Sequence, residues 1–322
     1  MSNAHPSNSA ASLKGRDFLS VTDVSPQQVR DLIDLAAHIK REPGAFRKSL
    51  DGKSVVVIFE KPSLRTRLSF DVGINRLGGH AVTLDHTQQR LGERETVADY
   101  GKNLERWCDA IVARVFKQTV LQEMADASRV PVINALSDRF HPCQSLADIL
   151  TLKEHAERAG RTLAGSTLAY IGDGNNVCHS LVHAAAMTGV RITVITPPGR
   201  EAAKDVIAES RTLAGSNDAI IESHDPAAVK GCDAVYTDVW VSMGQGEETH
   251  HTFKTFGKYQ VNAELMAKAG RDGRAALFMH CLPAHRGKEV TDEVMDSSSS
   301  IVYDQAENRM HAQNALLVRL LS

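Results

Sequence analysis

Residues Ser54–Arg67 read SVVVIFEKPSLRTR. The first six, Ser54–Phe59, form an apolar run rich in β-branched residues and without alternation. That is the pattern of a strand covered on both faces, the habit of parallel sheets. From Leu64 the pattern turns helical and runs to Leu77, where Gly78 and Gly79 stop it. A buried strand feeding directly into a helix opens a βαβ arrangement, and the flanking sequence repeats it. His80–Leu84 reads as the next strand, Thr96–Arg106 as a helix, and Ala110–Arg114 and Val130–Asn134 as further strands. Upstream, Val21–Lys40 carries apolar residues at helical intervals, with Ser25 as N-cap and Pro26 at the first helical position.

Ser145–Ala159 (SLADILTLKEHAERA) is an amphipathic helix with no strand beside it, suited to bridge two domains. Beyond Gly165 the alternation restarts. Thr167–Ile171 reads as a strand, Asn176–Thr188 as a helix, and Arg191–Thr196 as a strand closed by Pro197-Pro198-Gly199. Ala234–Thr237, Ala276–Met279 and Ser300–Val302 supply further expected strands, and Glu307–Leu321 an apolar helix docking on the body of the fold. The expected fold is α/β: two doubly wound parallel-sheet domains facing a central cleft, bridged by helices. The expected boundaries are 1–144, joined by the C-terminal helix 307–322, and 145–306, which includes the bridging helix 145–159. The length of 322 residues agrees with two domains at ~150 residues each.

Composition narrows the function. With 42% hydrophobic and 24% charged residues, collagen-like and wholly disordered classes are excluded. A formal charge of −2 lacks the basic footprint of general nucleic-acid binding. The five cysteines are widely spread and form no C-x-x-C pair, which argues against a disulfide framework or structural zinc and for a reducing compartment. No apolar run approaches the ~20 residues that span a bilayer. Residues 1–12 are polar and small, unlike a signal peptide, and a cytoplasmic protein is expected.

Ligands of open α/β sheets bind beyond the carboxyl ends of strands, so the residues there are the candidates. After Ser54–Phe59, a hydroxyl, free backbone N–H groups and two guanidinium groups meet at a helix N-terminus, which suits phosphate; a capped helix with solvated arginines fits equally well. His141 and Gln144 can both hydrogen-bond a carbonyl compound, although a histidine there is more often a core or capping residue. Arg114 ends a buried strand and needs an anionic partner. Gly172-Asp173-Gly174-Asn175-Asn176 is a weak dinucleotide fingerprint. Val177 stands where the third glycine belongs, and no acidic residue ends the next strand, so NAD is not expected. Asp238 can hold an amine. Cys281 can be a nucleophile, an amine contact or an inert buried thiol; it lacks a local signature for thiol catalysis, so on pattern alone the inert reading leads. Anion donors in the first half, with carboxylate, amide and thiol in the second, suit an enzyme that joins a phosphorylated small molecule to an amine.

Ser63-Leu64-Arg65-Thr66-Arg67, His141-Pro142-Cys143-Gln144, Asp238 with Ser242-Met243-Gly244, and His280-Cys281-Leu282-Pro283 resemble, in order and spacing, the motifs of the ornithine carbamoyltransferases within the aspartate/ornithine carbamoyltransferase family. The resemblance runs from about Phe18 to the C-terminus. It implies transfer of the carbamoyl group from carbamoyl phosphate to L-ornithine, giving L-citrulline and phosphate, with no metal and no organic cofactor. It also implies that Ser63, Leu64, Arg65 and Thr66 hold the phosphate. Arg114, His141, Gln144, Arg309 and the Cys281–Leu282 backbone would bind the carbamoyl group, and Asn176, Asp238, Ser242 and Met243 the ornithine. Cys281, Asp238, His141 and Arg114 are the residues expected to act in the chemistry, with Ser242–Gly244 on a loop that closes over ornithine.

Two departures stand out. Leu64 replaces the family's usual threonine, and Arg90, in Gln89-Arg90-Leu91-Gly92, replaces a frequent glutamine. In trimeric relatives this second loop reaches a neighbour's site, so Arg90 is expected among the phosphate contacts, in a homo-oligomer of three chains or a multiple of three. No nucleic acid or membrane partner is expected. Rival acceptors are N-acetylornithine or putrescine, disfavoured by Ser242-Met243-Gly244, and aspartate, whose carboxylates Asp238 would repel. A non-catalytic anion-binding module is the rival from another class.

Overall fold

The computed structural model describes residues 12–241 and 250–322. Its first half runs α1 (Pro26–Arg41), β1 (Ser54–Phe59), α2 (Leu64–Arg76), β2 (His80–Asp85), α3 (Val97–Leu104), β3 (Ala110–Arg114), α4 (Gln118–Ala127) and β4 (Val132–Leu136). Then come α5 (Pro142–Arg158), β5 (Thr167–Ile171), α6 (Asn176–Thr188), β6 (Arg191–Ile195), α7 (Lys204–Ala214), β7 (Ile220–Ser223) and β8 (Ala234–Thr237). The chain closes with α8 (His250–Phe256), α9 (Ala263–Lys268), β9 (Leu277–His280), α10 (Asp292–Met295) and α11 (Val302–Leu321).

Two parallel sheets result, one in the order β2-β1-β3-β4 and the other β7-β6-β5-β8-β9. In register, β1 pairs Ser54 with His80 on one side and Val55 with Ala110 on the other. Val55–Phe59 are all buried, as the unalternating run requires. The strand order reverses at β1/β3 and at β5/β8, and at such switch points crevices open beyond the carboxyl ends of the strands. One continuous core runs from the inner face of the first sheet through α1, α5, α6 and α11 to the inner face of the second. The outer face of each sheet has its own smaller cluster.

Local signals set several boundaries. Ser25 and Gln28 form a capping box at α1, with Pro26 at its first position. Asn175 caps α6 by accepting from the N–H groups of Val177 and Cys178. At Gly174 the loop passes so close to its neighbour that a Cβ would lie 2.3 Å from Ala202 N, so only glycine fits.

The structure corrects three expectations. Ser300–Val302 is not a strand: Ser300 makes a single parallel bridge to Phe278, and Val302 already begins α11. The apolar Ile301 and Val302 pack into the core as the first turn of that helix rather than along a ladder. The bridging helix starts at Pro142 rather than Ser145, because proline is at home in a first helical turn. Finally, α4, α7, β7, α8, α9 and α10 were not foreseen. Helices α4 and α7 are part-exposed and lack a side-chain N-cap bond, and β7 exposes two of its four residues.

Candidate active site

Ser63 caps α2, its Oγ accepting from Thr66 N at 3.3 Å. First-turn amides have no intrahelical acceptor, so those of Leu64 and Arg65 remain available. Leu64 is 69% exposed, so here only its backbone can serve a ligand. Thr66 is fully buried. Its Oγ1 accepts from Ser63 Oγ at 2.9 Å and from an Arg309 guanidinium nitrogen at 2.6 Å, which leaves its own proton to donate elsewhere.

Arg309 comes from α11, 243 residues from Thr66, and also donates to Gln144 Oε1 at 3.2 Å. Its contact with His141 Nε2 is longer, 3.5 Å. A guanidinium only donates, so Nε2 accepts and the ring proton sits on Nδ1, a buried donor with no partner among the described residues. Burial, then the charges of Arg309 and Arg114, hold His141 well below the usual histidine range. The imidazole is therefore neutral.

Arg114 is buried where β3 ends, and its Nε lacks a partner among the described residues. Desolvation and the like charges of Arg309 and Arg65 push its pKa down to about 9, with Cys281 opposing. Arg309 is lowered too, chiefly by burial. Neither makes an ion pair with a carboxylate among the described residues. Cations crowded into a low-dielectric pocket repel one another unless an anion enters.

Across the cleft, Asp238 lies just beyond β8 and is buried. Its Oδ2 accepts from Asn175 Nδ2 at 2.8 Å and its Oδ1 from Cys281 Sγ at 3.0 Å. Burial and the Asp238 charge push the Cys281 thiol well above the ordinary cysteine value, so it is protonated. His280 does not face the thiol. Its Nδ1 accepts from Leu282 N at 2.8 Å, which puts the proton on Nε2, facing Glu289 Oε1 at 3.2 Å. Leu282 sits at φ +59°, a left-handed conformation uncommon for a residue with a Cβ. Asp238, His280 and Cys281 bring possible metal-ligating atoms within 4.8 Å of one another, but both His280 ring nitrogens and the Cys281 thiol already have protein partners.

The structure thus brings Ser63, Thr66, Arg114, His141, Gln144 and Arg309 together at one end of the cleft, with Asp238 and Cys281 joining them. Asn176 instead reaches over to the first half, donating to the Ser137 carbonyl at 2.6 Å. Arg90 is exposed and rests over the Phe116 ring at 4.2 Å, the ring that Lys61 also faces at 4.4 Å. Ser242, Met243 and Gly244 lie outside the described residues. Four residues that hold this site were not singled out from sequence: Asn175, Asp148, Glu289 and Gln305. Asp148 follows Gln144 by four residues on one helix face, a spacing that points to it. Nothing local marks Glu289 or Gln305.

Two family models match the chain. A model of the aspartate/ornithine carbamoyltransferase carbamoyl-P binding domain matches residues 16–154, and one of the Asp/Orn binding domain matches 164–320. An ornithine carbamoyltransferase of Shewanella oneidensis is 53% identical over 308 residues, covering 95% of this chain and 100% of that one. One from Pyrococcus horikoshii is 46% identical, covering 96% of this chain and 97% of its own. Among solved structures, ornithine carbamoyltransferase from Pyrococcus furiosus superposes with a TM-score of 0.90 at 44% identity, over 97% of this chain and 98% of that one. That from Thermus thermophilus gives 0.84 at 43% identity, over 95% and 99%.

Proposed function

The chain belongs to the aspartate/ornithine carbamoyltransferase family and transfers the carbamoyl group of carbamoyl phosphate to the δ-amine of L-ornithine, giving L-citrulline and phosphate, and from that premise we propose which residues do this and how. Residues 1–144, with helix 307–322, bind carbamoyl phosphate, and residues 145–306 bind ornithine. Helix α11 packs against α1 and α2 of the first part and, more extensively than against either, against the bridging helix α5.

The carrying observation is the crowding of Arg114, Arg309 and neutral His141 with no ion pair to a carboxylate among the described residues. Phosphate lies on the Leu64 and Arg65 amides and the Arg65 fork, beside Ser63 and Thr66, where donors and charge match a dianion. Arg90 adds a phosphate contact. The carbamoyl oxygen faces Arg114, the spare Thr66 proton and His141, while Gln144, Arg309 and the Cys281–Leu282 backbone hold the amide end. As the amine attacks, negative charge grows on that oxygen, and fixed donors stabilise it most where water is excluded. The ornithine δ-amine titrates near ~10 and must lose a proton first. Asp238 and Cys281 orient it, with Asn176, Ser242 and Met243 holding the α-amino acid end.

The enzyme is a cytoplasmic homotrimer, or a multiple of trimers, in arginine metabolism. Leu64, Leu68 and Val72 form an exposed apolar stripe at helical spacing on α2, with exposed Val82 on the neighbouring edge strand β2, which supports a subunit interface there. All five cysteines are free, in keeping with a reducing compartment. Among the described residues, no helix is long and apolar enough to cross a membrane. A citrulline assay offering ornithine, N-acetylornithine, putrescine and aspartate tests the reading. Ornithine should be the productive acceptor, and absence of citrulline from it refutes the assignment.

A further inference from the structure

Gln144 and Arg309 face each other in the carbamoyl phosphate site, yet a glutamine amide can flip and offer NH2 in place of oxygen. One buried carboxylate removes that freedom. Asp148 lies one turn beyond Gln144 on α5 and is 1% exposed. Its Oδ1 accepts from Gln144 Nε2 at 2.8 Å and from Gln305 Nε2 at 2.6 Å. A carboxylate only accepts, so both amides must turn their NH2 groups toward it and their carbonyls away. Gln144 Oε1 then meets Arg309 at 3.2 Å. Gln305 Oε1 accepts from the backbone N–H of His280 at 3.0 Å, the residue that ends β9 directly ahead of Cys281 and Leu282.

We propose that Asp148 is a positioning residue for carbamoyl transfer, fixing through Gln144 and Gln305 the relative placement of Arg309 on α11 and the Cys281–Leu282 turn after β9. The inference rests on the carbamoyl phosphate site proposed above. A carboxylate is costly to bury, and well-packed apolar residues commonly replace buried charges without loss of stability, so stability alone gives no reason for an acid here. Burial indeed pushes the Asp148 carboxyl up to about 7, against the opposing pull of the Gln144 and Gln305 amides, the Tyr236 hydroxyl and the Arg309 charge. Its Oδ2 and the Tyr236 hydroxyl have no partner of good geometry among the described residues.

The test compares parent, Asp148→Asn and Asp148→Leu in steady-state citrulline formation and thermal unfolding. Asn keeps one accepting oxygen but no longer dictates which way the amides turn; Leu removes the acceptor. The KM for carbamoyl phosphate should rise about threefold in Asp148→Asn and about tenfold or more in Asp148→Leu, the loss of hydrogen bonds to a charged group. The ornithine KM should stay within about twofold, and Asp148→Asn should unfold no earlier than the parent. Should the leucine variant not fold, the near-isosteric asparagine variant decides alone. A folded Asp148→Asn with the parent's carbamoyl phosphate KM overturns the proposal. So does a rise in both KM values together with a lowered unfolding midpoint, which marks a merely structural role. Failure of the reaction assignment would show in the parent, and failure of this inference only in the variants.

Discussion

Cys281 Sγ donates to Asp238 Oδ1 across 3.0 Å, joining a residue beyond β9 to one beyond β8. The bond holds the thiol in its protonated form beside a carboxylate that burial has already stripped of water. A thiolate nucleophile needs the opposite surroundings. Cys281→Ser, which keeps a donor to Asp238, should raise the ornithine KM and lower turnover yet still make citrulline. Rapid-quench mass spectrometry with carbamoyl phosphate alone should find no thiocarbamate on Cys281. An adduct that ornithine discharges at the turnover rate would reverse this conclusion.

Arg65 stands half-buried in the first turn of α2, beside the charges of Arg114 and Arg309. Arg65→Ala should weaken carbamoyl phosphate use about 10- to 100-fold, from charge-assisted bonds worth ~1.5–3 kcal/mol each. The unfolding midpoint should barely move, since like-charge repulsion falls as a partial helix-end contact is lost. Equal phosphate affinity in variant and parent, read by calorimetry, would remove Arg65 from the phosphate site.

Arg65, Arg114 and Arg309, which make no ion pair with a carboxylate among the described residues, also predict ligand-linked stability. Inorganic phosphate at about 100 times its Kd should stabilise the fold by ~2.7 kcal/mol, visible as a higher unfolding midpoint. The gain should vanish in a Arg65→Ala, Arg309→Met double variant. Chloride at matched ionic strength should not reproduce it, and if it does the effect is screening rather than binding.

Asp148 gives a pH signature. Its folded pKa, about 7, lies above the usual carboxylate value. The folded state therefore holds this proton more tightly than the unfolded chain. The associated stability is fully present below the unfolded pKa and is lost as pH rises through about 7. Asp148→Asn cannot ionise, so it should gain on the parent by on the order of 2 kcal/mol between about pH 5 and pH 8. Urea denaturation at both pH values measures the difference; a constant offset would mean that Asp148 stays charged throughout.

The exposed stripe Leu64, Leu68 and Val72 bears on assembly. Leu68→Glu places a charge in the proposed subunit interface and should give monomers in sedimentation, with citrulline formation reduced as Arg90 no longer reaches a neighbour. A parent that is fully active as a monomer would dismiss the shared site.

Much of this was legible in the chain. Strands β1, β3 and β5 and helix α6 fall where the sequence pattern places them, and a strand covered on both faces has no need of polar residues. Ser63, Arg114, His141 and Asp238 could be singled out because each is a polar residue just beyond or at the end of an apolar run. The helices α4 and α7 were not legible: their apolar faces are short, and tertiary packing rather than propensity stabilises them.

By itself, the sequence determined the alternation of parallel strands and helices and the motifs that carry the family resemblance. Both are local, written in the spacing of residues along a few turns. Tertiary structure alone decided that Arg309 meets Thr66 and Gln144, 243 and 165 residues away, and that Asp148 binds Gln305 across 157. Spacing encodes which face a side chain takes but not which distant face it will meet. That is set when the carboxyl ends of two sheets and the helices α5 and α11 pack around one core, and water is driven from the polar groups left between them.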